Sequence, residues 1–229
     1  MSPNRGVTTR RSFLVGIALS LATCCYPLFA VEIPQPLPSA HELAQRVDAY
    51  YNGLHSLRAN FTENYQGMGV RRQESGSLLL RKPGKMRWNY SQPEGKVFLL
   101  DGKYGWFYSP GDKQAERLAA SHLDDMRSPL RFLLGHTQLE KELQSLTLST
   151  DASGLRLSGV PKGMQQRVSE ITLGVNSDGA IRSIAITETD GARTSFTFTN
   201  NQPNAPAPES EFVFRPPAGV SVIDGLPPV

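Results

Sequence analysis

The chain has 229 residues, of which 39% are hydrophobic and 20% are charged, and its mean hydropathy is −0.32. These values are typical of a soluble globular protein and exclude both a disordered chain and a polytopic membrane protein. The formal charge of +3 comes from the first 30 residues, which hold three arginines and no acid, so residues 31–229 keep 21 basic and 21 acidic side chains. A body without net positive charge is not expected to bind nucleic acid.

Residues 1–30 are predicted to be an export signal peptide. Arg10 and Arg11 supply a basic start, an apolar run follows over residues 13–22, and Ala30 offers a small residue at the predicted cleavage site. The run is shorter than the roughly 20 apolar residues that span a bilayer, so the segment is expected to be cleaved rather than to anchor the chain. The arginine pair fits the twin-arginine export route as well as the general one.

Both cysteines, Cys24 and Cys25, fall inside this leader. Cleavage after Ala30 would therefore leave a mature chain without a thiol, a disulfide or a cysteine metal site. The alternative is that residues 21–24 form a weak lipoprotein box and that Cys24 is lipidated.

Residues 31–38 contain three prolines and predict a stiff, extended linker. The remaining residues, 39–229, suit one domain. Its first element is a predicted helix, because Ser39 followed three residues later by Glu42 is a capping box. A single apolar stripe follows at helical spacing, and it comprises Leu43, Val47, Tyr50 and Leu54.

Most of the rest alternates between apolar and polar residues with a period of two, which predicts about ten strands, mainly antiparallel. Asp101-Gly102 is typical of a tight hairpin turn. A second helix is predicted where Ser128-Pro129 starts and Gly135 ends a short apolar segment. A last short pairing around Pro216-Pro217 is predicted from Phe212, Phe214, Val220 and Val222.

The fold class expected from these elements is mainly β with helices, an α+β protein in which a curved antiparallel sheet wraps round an apolar face that the helices cover. A compact barrel of this size can be filled by its own side chains or can keep a cavity. The sequence patterns leave both possibilities open.

No constellation of catalytic or metal-binding residues is evident. The four histidines lack metal-ligand spacing, and the chain has no nucleophile elbow, dinucleotide fingerprint or phosphate loop. We therefore predict a binding protein without catalytic residues, metal or cofactor. An exported hydrolase that uses a carboxylate pair is the less favoured alternative.

One ordered set of motifs resembles the LolA family, the periplasmic carriers of outer-membrane lipoproteins. It extends over roughly residues 41–223, after an exported leader and an amphipathic helix. The motifs are Leu57-x-Ala59-x-Phe61-Thr62, Gly76-x-Leu78-x-x-Arg81-Lys82-Pro83-Gly84-x-Met86-Arg87-Trp88, Gln92-Pro93, Asp101-Gly102-Lys103-x-x-Trp106-x-Tyr108-x-Pro110, Pro129-x-x-x-Leu133-Leu134 and Phe212-x-Phe214-x-Pro216-Pro217-x-Gly219-Val220.

The resemblance implies a half-open antiparallel barrel of about ten to eleven strands with a helical lid. It implies a periplasmic monomer without cofactor that takes the acyl chains of lipoproteins from an inner-membrane ABC transporter and passes them to LolB, an outer-membrane acceptor lipoprotein. The acceptor and other lipid-binding proteins share the fold, so the alternative is an envelope lipid-binding, sensor or interaction module without a shuttle role.

The predicted lipid-binding residues are the apolar members of alternating rows. They are Phe61, Leu78, Leu80, Met86, Trp88 and Leu133. The lid helices are expected to face the hollow, the alternative being that they pack on the outside of the sheet. Their predicted lid residues are Leu43, Val47, Leu54, Leu130 and Leu134.

Lys82 continues the row of Leu78 and Leu80, and the resemblance makes it the candidate lid latch, with Arg81 beside it as the second candidate. The family has an arginine at the position of Lys82 and a phenylalanine at that of Met86. Because a buried ammonium is costly, Lys82 is expected at the mouth of the hollow with its amine near lid carbonyls or water. The alternative is that it points into solvent.

Overall fold

The computed structural model describes residues 1, 37–120 and 138–225. Leu37–Val229 forms one compact unit. Among the described residues, no helix is long and apolar enough to cross a membrane. The predicted signal peptide with Cys24 lies outside the described residues, as does the predicted second helix with Leu130, Leu133 and Leu134.

Helix α1 spans Ala40–Asn52 and begins with the predicted capping box, in which Ser39 and Glu42 satisfy each other's backbone N–H groups. The buried residues of α1 are Leu43, Ala44, Val47 and Tyr51, whereas the predicted Tyr50 is only half-buried. A second helix, α2, covers Leu139–Glu142, and a 3₁₀ helix covers Glu209–Phe212.

Twelve strands form one sheet in the order β12-β6-β5-β4-β3-β2-β1-β11-β10-β9-β8-β7. The sheet is therefore open, because its edge strands β12 and β7 are at opposite ends of the order. The strands are β1 (Ser56–Gly67), β2 (Val70–Arg81), β3 (Lys85–Gln92), β4 (Glu94–Asp101), β5 (Tyr104–Tyr108), β6 (Gln114–Ala119), β7 (Leu143–Asp151), β8 (Gly154–Pro161), β9 (Val168–Val175), β10 (Ile181–Glu188), β11 (Arg193–Pro203) and β12 (Ser221–Asp224).

The antiparallel, half-open architecture is as predicted, but the sheet has twelve strands where ten to eleven were expected. The last segment of the chain also differs from the expectation. Phe212 ends the 3₁₀ helix, and of the residues predicted to pair there only Val222 lies in a strand. That strand, β12, runs parallel to β6. Between β11 and β12, residues 204–220 run along the outer face from one end of the strands to the other. β12 therefore starts at the same end of the sheet as β6 and pairs with it in parallel.

The two faces of the sheet bury different groups of side chains. On the inner face, Phe61 lies between Phe198 of β11 and Gly76 of β2, while Trp88 of β3 pairs with Leu78. Helix α1 packs on this face, and its buried residues join those of the strands in one apolar core. The outer face carries the side chains of opposite parity, and residues 207–214 contact it over β2 to β5 through Arg81, Arg87 and Trp106. The inner face is therefore where helix and sheet enclose an apolar region.

Candidate functional site

A cluster of aromatic rings occupies the centre of the inner face. The ring of Trp88 meets that of Phe61 edge-on at 4.6 Å between centroids and that of Phe196 at 5.5 Å, and Phe198 lies at 6.3 Å. The indole N–H of Trp88 donates to the sulfur of Met86 at 2.7 Å. Trp88 is only 2% exposed, so in this structure side chains fill the space around it.

The structure brings five of the six predicted lipid-binding residues together in this core. Leu78 and Leu80 pair in register with Trp88 and Met86, and these four join Phe61 in one buried cluster. Leu133 lies outside the described residues. Their common face follows from the parity of the strands, whereas a role in lipid binding stays a prediction.

Helix α1 lies on the inner side of the sheet. Leu43 and Val47 have no exposed surface, and Leu54 beyond the helix end is 6% exposed. All three belong to the same cluster as Trp88. The part of the lid that the structure describes therefore faces the apolar side and not the outside of the sheet.

Lys82 reaches from the end of β2 to the end of this helix. Its Nζ donates a hydrogen bond to the carbonyl oxygen of Tyr51, in the last turn of α1. Its backbone N–H donates to the carbonyl of His55 at 2.9 Å. Burial lowers the pKa of Lys82 from its ordinary value, since the ammonium gives up water for one carbonyl. The amine thus meets a lid carbonyl at the edge of the apolar region.

The structure does not bring Arg81 to the helix. Its guanidinium donates to the carbonyl of Ala207 at 2.9 Å, pairs with Glu209, and lies 5.7 Å from the centre of the Phe212 ring. All three partners belong to the segment that covers the outer face. Successive side chains of a strand point to opposite faces, so Arg81 and Lys82 cannot serve as two alternatives for one contact.

Tyr51 is the residue of α1 that sequence reasoning missed. Its ring is 2% exposed, and its hydroxyl accepts a hydrogen bond from the N–H of Ile181 at 3.2 Å, at the start of β10. Burial raises its pKa. The carbonyl of Tyr51 therefore contacts β2 while its hydroxyl contacts β10, two strands that β1 and β11 separate in the sheet. The fourfold spacing from Leu43 and Val47 was a signal for it.

Further contacts attach α1 to the β7–β10 side of the sheet. The carboxylate of Asp48 accepts from the N–H of Leu139 at 3.0 Å, and His41 contacts Glu140 at 2.8 Å. The turn before β10 lies so close that a Cβ on Gly179 would be 2.3 Å from the carbonyl oxygen of Arg46. On the other side of the helix, the hydrogen bond from Lys82 is a polar contact between the end of α1 and the end of β2.

A belt of charged side chains crosses the inner face beyond the aromatic cluster. Glu63 of β1 stands directly opposite Glu74 of β2. Glu74 is 5% exposed and pairs with Arg72 at 3.1 Å and with Lys96. The hydroxyl of Tyr90 donates to Glu63 at 3.2 Å. Burial, and then the facing Glu74, raise the pKa of Glu63.

No residue of this belt was predicted from the sequence as part of a site, although the alternation of β1 continues from Phe61 to Glu63. Its side chains neutralise one another and supply donors and acceptors at the border of the apolar region. Among residues 37–120 and 138–225, no group of three or more His, Cys, Asp or Glu side chains could hold a metal ion. The arrangement as a whole offers an apolar surface beneath a helix, and a polar rim.

Comparison with known proteins gives a consistent answer. The family model described as outer membrane lipoprotein carrier protein LolA matches residues 52–215. The chain is 31% identical to an outer-membrane lipoprotein carrier protein of Cronobacter sakazakii, over 81% of this chain and 87% of the relative. It is 28% identical to one of Chromobacterium violaceum, over 82% of this chain and 90% of the relative. A solved LolA superfamily protein of Nitrosomonas europaea aligns with a TM-score of 0.42 at 10% identity, covering 78% of this chain and 99% of that chain.

Proposed function

The chain belongs to the LolA family of outer-membrane lipoprotein carrier proteins, and from that membership we propose that it carries lipoproteins through the periplasm. In this proposal the acyl chains of the cargo bind against the inner face of the sheet, beneath α1. The carrier takes its cargo from an inner-membrane ABC transporter and gives it to a LolB-like acceptor in the outer membrane. It acts as a monomer, without catalysis or cofactor.

The observation that carries this proposal is the apolar inner face under a helix, within a chain that matches the carrier family over most of its length. An acyl chain exposed to water costs about 0.8 kcal/mol per methylene group. A soluble shuttle must therefore cover the chains with apolar side chains. Phe61, Leu78, Leu80, Met86 and Trp88 supply such a surface, and Leu133 is the sixth member of the proposed lining.

The packing around Trp88 fits an empty, closed state. Because the rings of Phe61, Phe196 and Phe198 fill the space beside it, cargo can bind only if α1 moves or the rings rotate. Closure of the empty carrier then offsets part of the free energy of cargo binding, and the cargo is not held too tightly for transfer.

Lys82 is the proposed latch of the closed state. Its hydrogen bond to the Tyr51 carbonyl ties the end of α1 to β2, and it is broken when the helix leaves that strand. Arg81 has no part in this latch because it is fixed to the outer segment at Ala207 and Glu209. The leader is proposed to direct export, by the twin-arginine or the general route, before it is removed.

Native mass spectrometry of protein extracted from the periplasm tests the carrier role. A carrier is expected to retain acylated polypeptide in one-to-one complexes, and Trp88→Glu is expected to abolish them because it places a charge in the apolar core. Glu94→Gln, an exposed change at the sheet margin, is the matched control. Since Trp88→Glu also perturbs folding, Phe61→Leu gives a milder second variant.

The alternative is an envelope lipid-binding, sensor or interaction module of the same fold, and the closely packed ring cluster is the observation that favours it. Such a protein would give a clean mass without acylated cargo and would co-purify with a protein partner. An unloaded mass from cells that overproduce a lipoprotein would contradict the carrier proposal.

A further inference from the structure

The hairpin between β1 and β2 ends in two exposed apolar side chains. Gly67 pairs with Val70, so Met68 and Gly69 form a two-residue turn. Met68 is 90% exposed and Val70 is 54% exposed. Both strands are 12 residues long, but β2 pairs with β3 only from Ser75 onward. The tip therefore projects beyond β3.

Neither local conformation nor packing explains a methionine at this position. Met68 has φ of 50° and Gly69 has φ of 76°, the left-handed pair that a type I′ turn requires and that Asn-Gly satisfies best. A bulky residue with a Cβ is disfavoured in this conformation. The side chain also gains no burial in return, so it is free to make a contact outside this chain.

The charges around the tip indicate the chemistry of that contact. Residues 64–73 hold two arginines and no acid. Arg71 pairs in register with Gln66, which pairs on its other side with Arg193, so two exposed guanidinium groups lie in one row across three strands. Arg72 is committed to Glu74 and to the ring of Tyr65. The adjacent turn between β10 and β11 holds one acid, Asp190, against the two guanidinium groups of Arg71 and Arg193, so the tip keeps a positive balance.

We propose that this tip, formed by Met68, Val70, Arg71 and Arg193, docks the protein on the surface of an anionic phospholipid bilayer. Two apolar side chains enter the interfacial region while the guanidinium groups contact phosphates, the combination that binds membrane surfaces. A protein partner would be expected to offer this tip an apolar pocket with acidic residues. We favour the bilayer because the apolar residues sit at the outermost point of the hairpin, with the cations behind them.

Docking at this tip goes beyond the carrier function and can be measured without cargo. The mature chain, which lacks the leader with Cys24 and Cys25, is labelled with a polarity-sensitive nitrobenzoxadiazole dye at the single cysteine of Met68→Cys. The matched control is Val213→Cys with the same dye, since Val213 is 47% exposed and lies outside the hairpin. Vesicles are phosphatidylethanolamine with one quarter phosphatidylglycerol, and vesicles of pure phosphatidylcholine provide the neutral comparison.

The expected result is a blue shift at position 68 with anionic vesicles and none at position 213. Arg71→Gln is expected to weaken vesicle binding about fivefold, from the roughly 1 kcal/mol that one cation gains near an anionic surface. The unlabelled Met68→Asn protein, measured by co-sedimentation with the vesicles, should bind about tenfold more weakly and yet have a Tm raised by roughly 2–4 °C, since asparagine suits the turn. Met68→Leu should keep the binding.

Met68→Asn is expected to raise stability while it weakens vesicle binding. These opposite effects distinguish a docking role of Met68 from a merely structural one. The proposal is overturned if the dye at position 68 does not shift, or if Met68→Asn binds as tightly as the parent chain. A shift that appears only with vesicles containing an acceptor protein would assign the tip to a protein partner and would equally refute docking on lipid. Any of these results leaves acyl-chain carriage, measured by native mass spectrometry, unaffected.

Discussion

Replacing Lys82 with leucine removes the hydrogen bond between β2 and the end of α1 while leaving the apolar packing of the helix in place. The donor is charged and partly exposed, and the acceptor is the carbonyl of Tyr51. A hydrogen bond to a charged group contributes about 1.5–3 kcal/mol, and partial exposure favours the lower end of this range. At about 1.4 kcal/mol per factor of ten, the closed state of the empty carrier should lose roughly tenfold in population relative to the open state.

The consequence for cargo follows from linkage. A carrier that must open before it binds has its apparent affinity reduced by the fraction that is open. Lys82→Leu raises this fraction, so cargo should bind up to about tenfold more tightly. Because the emptied carrier then closes less often, it rebinds released cargo more readily, and net transfer slows. Uptake from the inner membrane should stay intact, and transfer to the acceptor should be impaired.

Two measurements together test this reasoning. Transfer of a fluorescently labelled lipoprotein from loaded carrier to acceptor-bearing membranes gives the release rate, and amide hydrogen exchange in the last turn of α1 reports opening of the empty carrier. Lys82→Arg is the conservative control and should behave like the parent chain. Arg81→Leu is the neighbouring control, since its side chain contacts Ala207 and Glu209 on the outer face.

A wild-type transfer rate in Lys82→Leu would falsify the latch. So would slow transfer without faster exchange in α1, because the defect would then arise from something other than lid opening. An equal defect in Arg81→Leu would attribute the effect to disturbance of the strand end rather than to the amine.

Three further changes have expected outcomes. Tyr51→Phe should leave the buried N–H of Ile181 without its acceptor, cost about 1–3 kcal/mol and speed the exchange of that amide. Gly76→Ala should lower the free energy of unfolding by about 1–3 kcal/mol in denaturant titration, because its Cβ would lie 2.0 Å from the carbonyl oxygen of Asn89. The pKa of Glu63 is raised in the folded state. Protonated Glu63 therefore contributes to the free energy of unfolding at low pH, and this contribution is lost as pH rises through that pKa. Glu63→Gln should therefore flatten this loss and gain about 0.2–1 kcal/mol at neutral pH by removing a like-charge pair.

Matched variants give each of these tests its reference. Tyr50→Phe alters the half-buried neighbour, Gly53→Ala adds a methyl where the nearest atom is 3.3 Å away, and Glu94→Gln removes an exposed carboxylate. Equal effects in a variant and its control would contradict the specific contact invoked. If Glu63→Gln lowers stability at neutral pH, the hydrogen bond from Tyr90 to the carboxylate stabilises the fold by more than the repulsion from Glu74 destabilises it.

Local sequence patterns determined much of this protein, because helix caps and strand parity depend on near neighbours. The capping box of Ser39 and Glu42 fixed the start of α1, and alternation placed Leu78, Leu80, Met86 and Trp88 on one face. The same parity put Lys82 on the inner side, next to the helix that it was predicted to reach. The ordered motifs were enough to identify the family.

Tertiary structure alone decided which distant segments meet. The sequence around Arg81 does not predict that residues 204–217 cross the outer face and bind its guanidinium. Residues 221–224 likewise do not predict a parallel pairing with β6. Likewise, Glu63 and Glu74 are each ordinary strand residues in the sequence, and only the register of β1 and β2 places them opposite one another. Tyr51 and not Tyr50 is buried, because the side chains that a helix buries are those that face the element packed against it. For Tyr51 that element is the start of β10. Such contacts depend on loop paths and strand register over long separations, and these are set by the packing of the whole chain and not by any short stretch of it.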